Sequence, residues 1–242
     1  MLQEIESQEL ELQEIDLNLW VAQQPLRYFG LGIRTRMTVI RFANDELVII
    51  SPIRLNPKAI QQLDDLGKVS HIIAPNLYHY MFAADFQAQY PDSIFWATPG
   101  LKEKEPDLAI DKTIGEENFP FASELKSIFF DGFRTLVPSG FESLNEWVFC
   151  HVATRTLIIT DAAFNFDRTF PWSTQLAARA SGIYNRLSPS LLEKLAITEK
   201  ETLRSAVASI LDWDFDRVIM AHGQVVECGG KQAFSHAYSF LL

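Results

Sequence analysis

The feature that most restricts this chain's fold is a strand and hairpin signal that appears in each half of the sequence, with helical stretches in between. Over Ile33 to Phe42 the run IRTRMTVIRF alternates apolar and polar residues, the period of a half-buried strand. The turn residues Asn44-Asp45 separate it from the apolar run Leu47 to Ile50, and a further strand signal covers Leu19 to Gln23, so a hairpin or meander is expected. In the second half, strands are expected around Ser127 to Phe130, Trp147 to His151 and Thr156 to Thr160, the last two joined by the tight segment VATR. Hairpins require antiparallel pairs, so a doubly wound parallel sheet is disfavoured.

The intervening segments read as helices and short buried strands. Asn56-Pro57 opens a helix to about Leu66, followed by a strand His71 to Ala74, a helix from about His79 to Gln89, and a strand Ile94 to Ala97. Leu101 to Phe121 is polar and Pro-punctuated, as a long surface excursion would be. Later helices are expected near Trp172 to Tyr184, Pro189 to Leu195 and Glu199 to Leu211, the last introduced by a Thr198-to-Glu201 capping box. A strand Arg217 to Ala221 and a final helix from about Lys231 to Phe240 complete the pattern. Two sheets packed face to face with helices outside, an α+β four-layer αββα sandwich in one domain over residues 1–242, fit this order.

Composition bounds the function. The 242 residues are 48% hydrophobic, enough for a full core without staples. The net charge of −10 argues against nucleic acid and anionic membranes as partners and leaves a small-molecule substrate or ligand. No run reaches the roughly 18 apolar residues of a spanning helix. The acidic start MLQEIESQELELQEID resembles neither a secretory signal nor a transit peptide, so a cytoplasmic protein is expected. Cys150 and Cys228 have no metal or redox spacing and read as free thiols. Oligomeric state is not legible.

Three titratable residues share one context. His79 follows HIIAPNLY, Asp161 ends TLIITD, and His222 follows VIMA, each just beyond a short apolar run. Chemistry is often placed where a rigid strand delivers the chain to a loop. Two imidazoles and a carboxylate are a usable set for Zn or Fe, although histidines and strand-end aspartates also serve structural roles.

The segments HIIAPNLYHYMFAADFQAQYPDSIFWATPG, TRTLIITDAAF and RVIMAHG resemble the metallo-β-lactamase superfamily. In that superfamily a strand leads into an H-x-H-x-D-H motif, a later strand ends in a bridging Asp, and a late strand ends in the last His. The resemblance spans about residues 30 to 225. The arrangement HxxxRTLIxTD from His151 to Asp161 is similar to a degenerate-motif branch known mainly from cyanobacteria and plants. Placing the motif's last His on His79 puts Ala74, Asn76 and Tyr78 at the other ligand positions, and Phe141 falls near the middle histidine. The resemblance therefore implies that one metal site is lost and that His79, Asp161 and His222 are the remnant of the second.

That remnant implies one divalent ion, Zn or Fe, or none at all. With the ion, the expected function is hydrolysis of a small ester, thioester or phosphoester, with Asp161 and Tyr78 as catalytic candidates. Without it, the expected function is non-catalytic binding of a metabolite or a partner protein. Asn76, Tyr80 and Asn165 are substrate-binding candidates because they lie beside the ligand positions and carry hydrogen-bonding groups. His151 is expected at the opposite rim, five strand steps or about 17 Å from Asp161, ordering the VATR turn with Arg155. His71 reads as structural and His236 as a surface or packing residue. Arg34 and Arg36 share one strand face and read as solvated. Phe166, Phe170, Pro171 and Trp172 are expected to wall the site, with Trp172 alternatively anchoring the next helix in the core.

Overall fold

The computed structural model describes residues 10–117 and 119–242. The first nine residues of the acidic start, and Asn118 within the expected surface excursion, lie outside the described residues. In the first half the elements run β1 (Gln13–Asp16), β2 (Leu19–Tyr28), β3 (Leu31–Arg41), β4 (Glu46–Ile50), α1 (Pro57–Leu66), β5 (Lys68–Ala74), α2 (Ala83–Gln89), β6 (Ile94–Ala97), α3 (Leu101–Lys104) and β7 (Lys112–Thr113). They form a seven-stranded sheet in the order of the chain, β1 through β7. Pairing is antiparallel from β1 to β4 and parallel from β4 to β7.

The second half runs β8 (Leu125–Phe130), β9 (Arg134–Val137), β10 (Gly140–Ser143), β11 (Glu146–His151), β12 (Thr156–Ile158), α4 (Trp172–Ala180), α5 (Leu191–Ala196), α6 (Lys200–Leu211), β13 (Arg217–Ile219) and α7 (Gly230–Ala237). Its main sheet has the order β13-β12-β11-β8, and β9 and β10 make a separate two-stranded hairpin. Only β12 and β13 run parallel there, while β11 is antiparallel to both of its neighbours.

The layers follow from strand alternation, because successive side chains point to opposite faces. Val48, Ile50, Ile73 and Trp96 pack in one core with Phe149, Ile158 and Ile219 of the other sheet. Their neighbours Leu47, Ile49, Ile72 and Phe95 turn outward onto a second core that includes Ala59 and Leu63 of α1 and Phe86 of α2. Likewise Val148, Cys150, Leu157 and Val218 face outward onto Val207 and Ile210 of α6 and Phe234 of α7. One core between the sheets and one outside each sheet make the four-layer αββα sandwich. Among the described residues no helix is long and apolar enough to cross a membrane. Cys150 is buried, Cys228 is exposed, and both are free.

Three local expectations are corrected. The helix expected from His79 begins at Ala83, because residues 79–82 form turns that present His79 instead of continuing a helix. The helix expected to run from Trp172 to Tyr184 ends at Ala180, where Gly182 takes a left-handed φ of 73°. Thr198 to Glu201 makes no capping box, since α6 is capped by Glu199 with no side-chain bond. The capping box belongs to α5, where the Ser190 hydroxyl accepts from the Glu193 N–H and the Glu193 carboxylate accepts from the Ser190 N–H.

Candidate metal centre

Each of the three strand ends delivers its residue through a specific backbone device. Beyond β5, the Asn76 side-chain carbonyl accepts the N–H groups of Tyr78 and His79, both at 2.9 Å, a turn that swings His79 toward the second sheet. Beyond β12, the fully buried Glu146 carboxylate accepts three successive N–H groups, from Thr160 and Asp161 at 2.8 Å and Ala162 at 3.3 Å. Beyond β13, Gly223 follows His222 with a φ of 116°, and a Cβ there would stand 2.4 Å from the Asn165 carbonyl oxygen. Only glycine permits that approach.

These devices bring the three side chains to one point. His79 Nε2 lies 3.2 Å from Asp161 Oδ2, His222 Nε2 lies 3.2 Å from Asp161 Oδ1, and the two Nε2 atoms are 3.3 Å apart. All three side chains are nearly buried, retaining 8%, 12% and 9% exposure for His79, Asp161 and His222. Among the described residues this is the grouping of His, Cys, Asp and Glu side chains whose ligand atoms converge, within 4.8 Å of one another.

Outer partners fix each ring. The His222 Nδ1 lies 2.6 Å from the Arg34 carbonyl, which can only accept, so that nitrogen carries a proton and Nε2 is the atom turned inward. The His79 Nδ1 lies 2.5 Å from the Ser51 hydroxyl, and Ser51, at the end of β4, takes a left-handed φ of 59°. The Asn76 amide donates to Asp161 Oδ2 at 2.9 Å. Such outer contacts orient metal-binding side chains in general.

The charges reinforce one another. For Asp161, burial opposes ionisation, but the two imidazoles outweigh it and hold the carboxyl far below its usual range. For His79, burial again opposes the charge, and the Asp161 carboxylate outweighs it, so proton affinity rises. Glu146 moves the other way, raised by burial first and by the Asp161 charge second.

A tetrahedral ion with ligand bonds of about 2.0–2.1 Å holds its ligand atoms about 3.3–3.4 Å apart. The two imidazole nitrogens, 3.3 Å apart, fit that edge length, while their 3.2 Å contacts run to different oxygens of Asp161, so one carboxylate oxygen would have to turn to serve the ion. His79, Asp161 and His222 would hold the ion and leave one position open. At the positions where the sequence resemblance placed further ligands stand Ala74, Asn76, Tyr78 and Phe141, none of them a His, Cys, Asp or Glu.

The remaining candidates fall elsewhere. Asn76 is fully buried behind Asp161, and its amide also reaches Thr160 and Glu146. The Tyr78 hydroxyl donates to Glu142 at 2.8 Å, with the Lys104 ammonium 3.8 Å from its ring centre. The Tyr80 hydroxyl donates to Glu105. Asn165 braces the His222 loop, its side chain donating to the Gln224 carbonyl at 3.1 Å and its own carbonyl accepting from the Gln224 N–H at 2.7 Å. The structure thus brings His79, Asp161 and His222 together, places Asn76 and Asn165 as braces, and turns the hydroxyls of Tyr78 and Tyr80 to other partners.

The solvated reading of Arg36 is overturned. Arg36 is 2% exposed, and its guanidinium donates to the carbonyls of Met220 and, at 2.7 Å, Gly223, clamping both sides of His222. Arg34 lies over the Phe170 ring at 4.9 Å. Phe166 and Phe170 are buried in a small cluster against the site loop, and the Phe164 ring stacks 6.2 Å from His222. Trp172 is 77% exposed, so it neither anchors α4 in the core nor joins that cluster. His151 bonds Thr154 in the VATR turn and pairs with Thr156 at the far end of β12, while Arg155 pairs with Asp214. His71 is buried and accepts from the Trp96 indole at 2.9 Å, and His236 is exposed.

Sequence reasoning did not identify Ser51, Glu146 or Arg36. For Ser51 and Glu146 the chain offers no signal beyond their position at a strand terminus. For Arg36, its place on the same face as Thr38 and the core residue Ile40 is a signal that was available.

Solved structures with the same fold are numerous in kind but distant in sequence. A metallo-β-lactamase from Pontibacter korlensis superposes with a TM-score of 0.64 at 13% identity, covering 96% of this chain and 99% of that one. A diflavin flavoprotein fragment from Nostoc sp. PCC 7120 gives 0.62 at 16% identity over 96% and 94%. The metal-soaked flavodiiron core of Synechocystis sp. PCC6803 gives 0.61 at 10% identity, covering 96% of this chain and 60% of that one. These identities establish the metallo-β-lactamase fold and nothing finer. No curated protein matches the chain. Residues 17–188, most of the chain, match the domain of unknown function DUF4336, and the chain belongs to that family.

Proposed function

We propose that the chain is a mononuclear metal-dependent hydrolase acting on a small ester, thioester or phosphoester, with His79, Asp161 and His222 holding one divalent ion, Zn or Fe. The observation that carries this reading is the facing of three electron-rich atoms. With Nδ1 of His222 committed to the Arg34 carbonyl, its Nε2 faces a carboxylate oxygen 3.2 Å away and a second imidazole nitrogen 3.3 Å away. Two imidazole nitrogens and a carboxylate turned toward one point are a donor set that a single divalent ion takes.

When bound, such an ion supplies Lewis acidity and a water of lowered pKa, near 7 for zinc. The chain's own groups do the rest. Asp161 supplies the donor set's negative charge and stays ionised because the imidazoles favour its charged form. Ser51 and the Arg34 carbonyl fix the two rings, Arg36 fixes the loop behind His222, and the Phe164 ring shields one side of that imidazole from water. Substrates are small molecules, not nucleic acid or membrane, in keeping with the charge of −10. Membership in the cyanobacterial and plant branch, and a cytoplasmic location, belong to the same proposal.

A second reading is favoured by one observation: Tyr78 has turned its hydroxyl to Glu142, so Asp161 is the one acid or base candidate left at the centre. On that reading the protein binds a metabolite or partner protein without turnover. Elemental analysis of protein purified without added metal, followed by a panel of ester, thioester and phosphoester substrates, separates the two. About one ion per chain with turnover of one substrate class supports the hydrolase. Metal-free protein supports the non-catalytic reading, and two ions per chain overturn the mononuclear one.

A further inference from the structure

A cavity of about 650 Å³ lies apart from the metal centre, where α5, α7 and residues 185–188 meet. Small-molecule sites span roughly 300–1,000 Å³. Arg186, Lys194 and His236 line it, together with Asn165, Ser188 and the exposed ring of Phe240. No acidic side chain lines it. Among the described residues, none of the three basic side chains makes an ion pair, in a chain with ten more formal negative than positive charges.

Arg186 and Lys194 are each tethered at the cavity wall. The Arg186 Nε donates to the Gly182 carbonyl at 2.6 Å, and the Lys194 ammonium sits 5.2 Å from the centre of the Phe240 ring. Lys194 is depressed below the usual lysine range, by burial first and by the Arg186 charge second, so the two cations feel each other. Holding like charges together without an acid costs energy, and an anion in the cavity relieves it. One carboxylate neutralises only one of them. A phosphoryl or pyrophosphoryl group carries enough charge for both and enough oxygens for a guanidinium and an ammonium at once.

We propose that this cavity binds a small phosphorylated ligand, its phosphate between Arg186 and Lys194 and its organic part against Phe240. The wall is continuous with the metal centre by backbone bonds. Ser188 exchanges N–H bonds of 3.0 and 2.9 Å with Phe164, whose ring flanks His222, and Asn165 carries the Gln224 bonds behind that residue. The ligand would thus sit behind the His222 loop. The proposal does not depend on the hydrolase reading, since no metal ligand contributes to it.

Isothermal titration of the full chain with pyrophosphate and with adenosine diphosphate, at low and high salt, tests it. Expected is saturable binding of one anion per chain, weakened by salt, at least about tenfold weaker in Arg186→Ala and in Lys194→Gln, and unchanged in Asp161→Asn. Both basic residues are at least partly exposed, so their variants should keep the wild-type melting temperature. Absence of saturable binding overturns the proposal. So does equal affinity in the two charge variants, or loss of binding in Asp161→Asn alone, which would place the anion at the metal centre.

Discussion

The buried carboxylate of Glu146 holds the main chain of Asp161: the Asp161 N–H donates to Glu146 Oε2 at 2.8 Å, and the flanking Thr160 and Ala162 N–H groups donate to Oε1. Three amides that leave β12 with no strand partner are satisfied by one side chain from β11. The same side chain sets where the Asp161 carboxylate points, since Asn76 bridges Glu146 Oε2 and Asp161 Oδ2. A helix or strand partner could not do this at a strand terminus, where the ladder has ended.

Glu146→Ala should therefore destabilise the fold and loosen the centre together. Orphaning buried amides costs about 1–3 kcal/mol each, so a loss of at least about 3 kcal/mol is expected in urea unfolding. Glu146→Gln, which keeps an acceptor, should lose less than half of that and retain more metal. Equal stability of Glu146→Ala and wild type would refute the bracing role.

Asp161→Ala and His151→Ala should separate site from scaffold. Asp161 contributes the only charge of the donor set, so its loss is expected to abolish metal binding while the metal-free protein still folds. His151 pairs with the opposite end of β12 and bonds Thr154, so His151→Ala should leave metal content unchanged and cost about 1–3 kcal/mol. Metal retained by the first variant, or lost by the second, would reverse the assignment of the two rims.

Gly223→Ala should displace His222 without touching a ligand. The new Cβ would meet the Asn165 carbonyl oxygen at 2.4 Å and nitrogen at 2.7 Å at a φ of 116°, so the loop must move. A destabilisation of about 2–3 kcal/mol and at least a tenfold loss in metal affinity are expected, read by thermal unfolding and competition with a chelator.

Glu193, buried at the start of α5, should give stability a pH dependence of its own. Burial raises its carboxyl to about 8, with Asp161 and Glu146 adding to the rise against the Ser190 bonds that oppose it. An acid whose proton affinity is higher in the folded state stabilises the fold most below its unfolded pKa of about 4.5, and that contribution falls away as pH climbs to about 8. Wild type is thus expected to lose stability between pH 5 and 8, by an amount on the order of a few kcal/mol. Glu193→Gln, which keeps the Ser190 N–H acceptor, should lose less over the same interval. Parallel pH profiles of unfolding free energy for the two proteins would exclude this origin.

What the sequence determined by itself was whatever repeats at short range. The two-residue period of β3, and the apolar runs before His79, Asp161 and His222, are properties of neighbouring residues, so they located the strands and the three strand ends without knowledge of the rest. What it could not determine was what stands opposite. Alternation placed Arg36 on a face but not on the inner one, where Met220 and Gly223, more than 180 residues along the chain, supply the carbonyls that make its burial tolerable. Ser51 and Glu146 joined the centre in the same way, by contacts that exist only once the sheets have packed. Tyr78 is adjacent to His79 in sequence yet bonds Glu142, because the turn that aims His79 at the second sheet aims its neighbour at the β9–β10 hairpin. The residue types came from the chain, and their meeting, and hence the chemistry open to them, was decided by the register and packing of two sheets that no local pattern encodes.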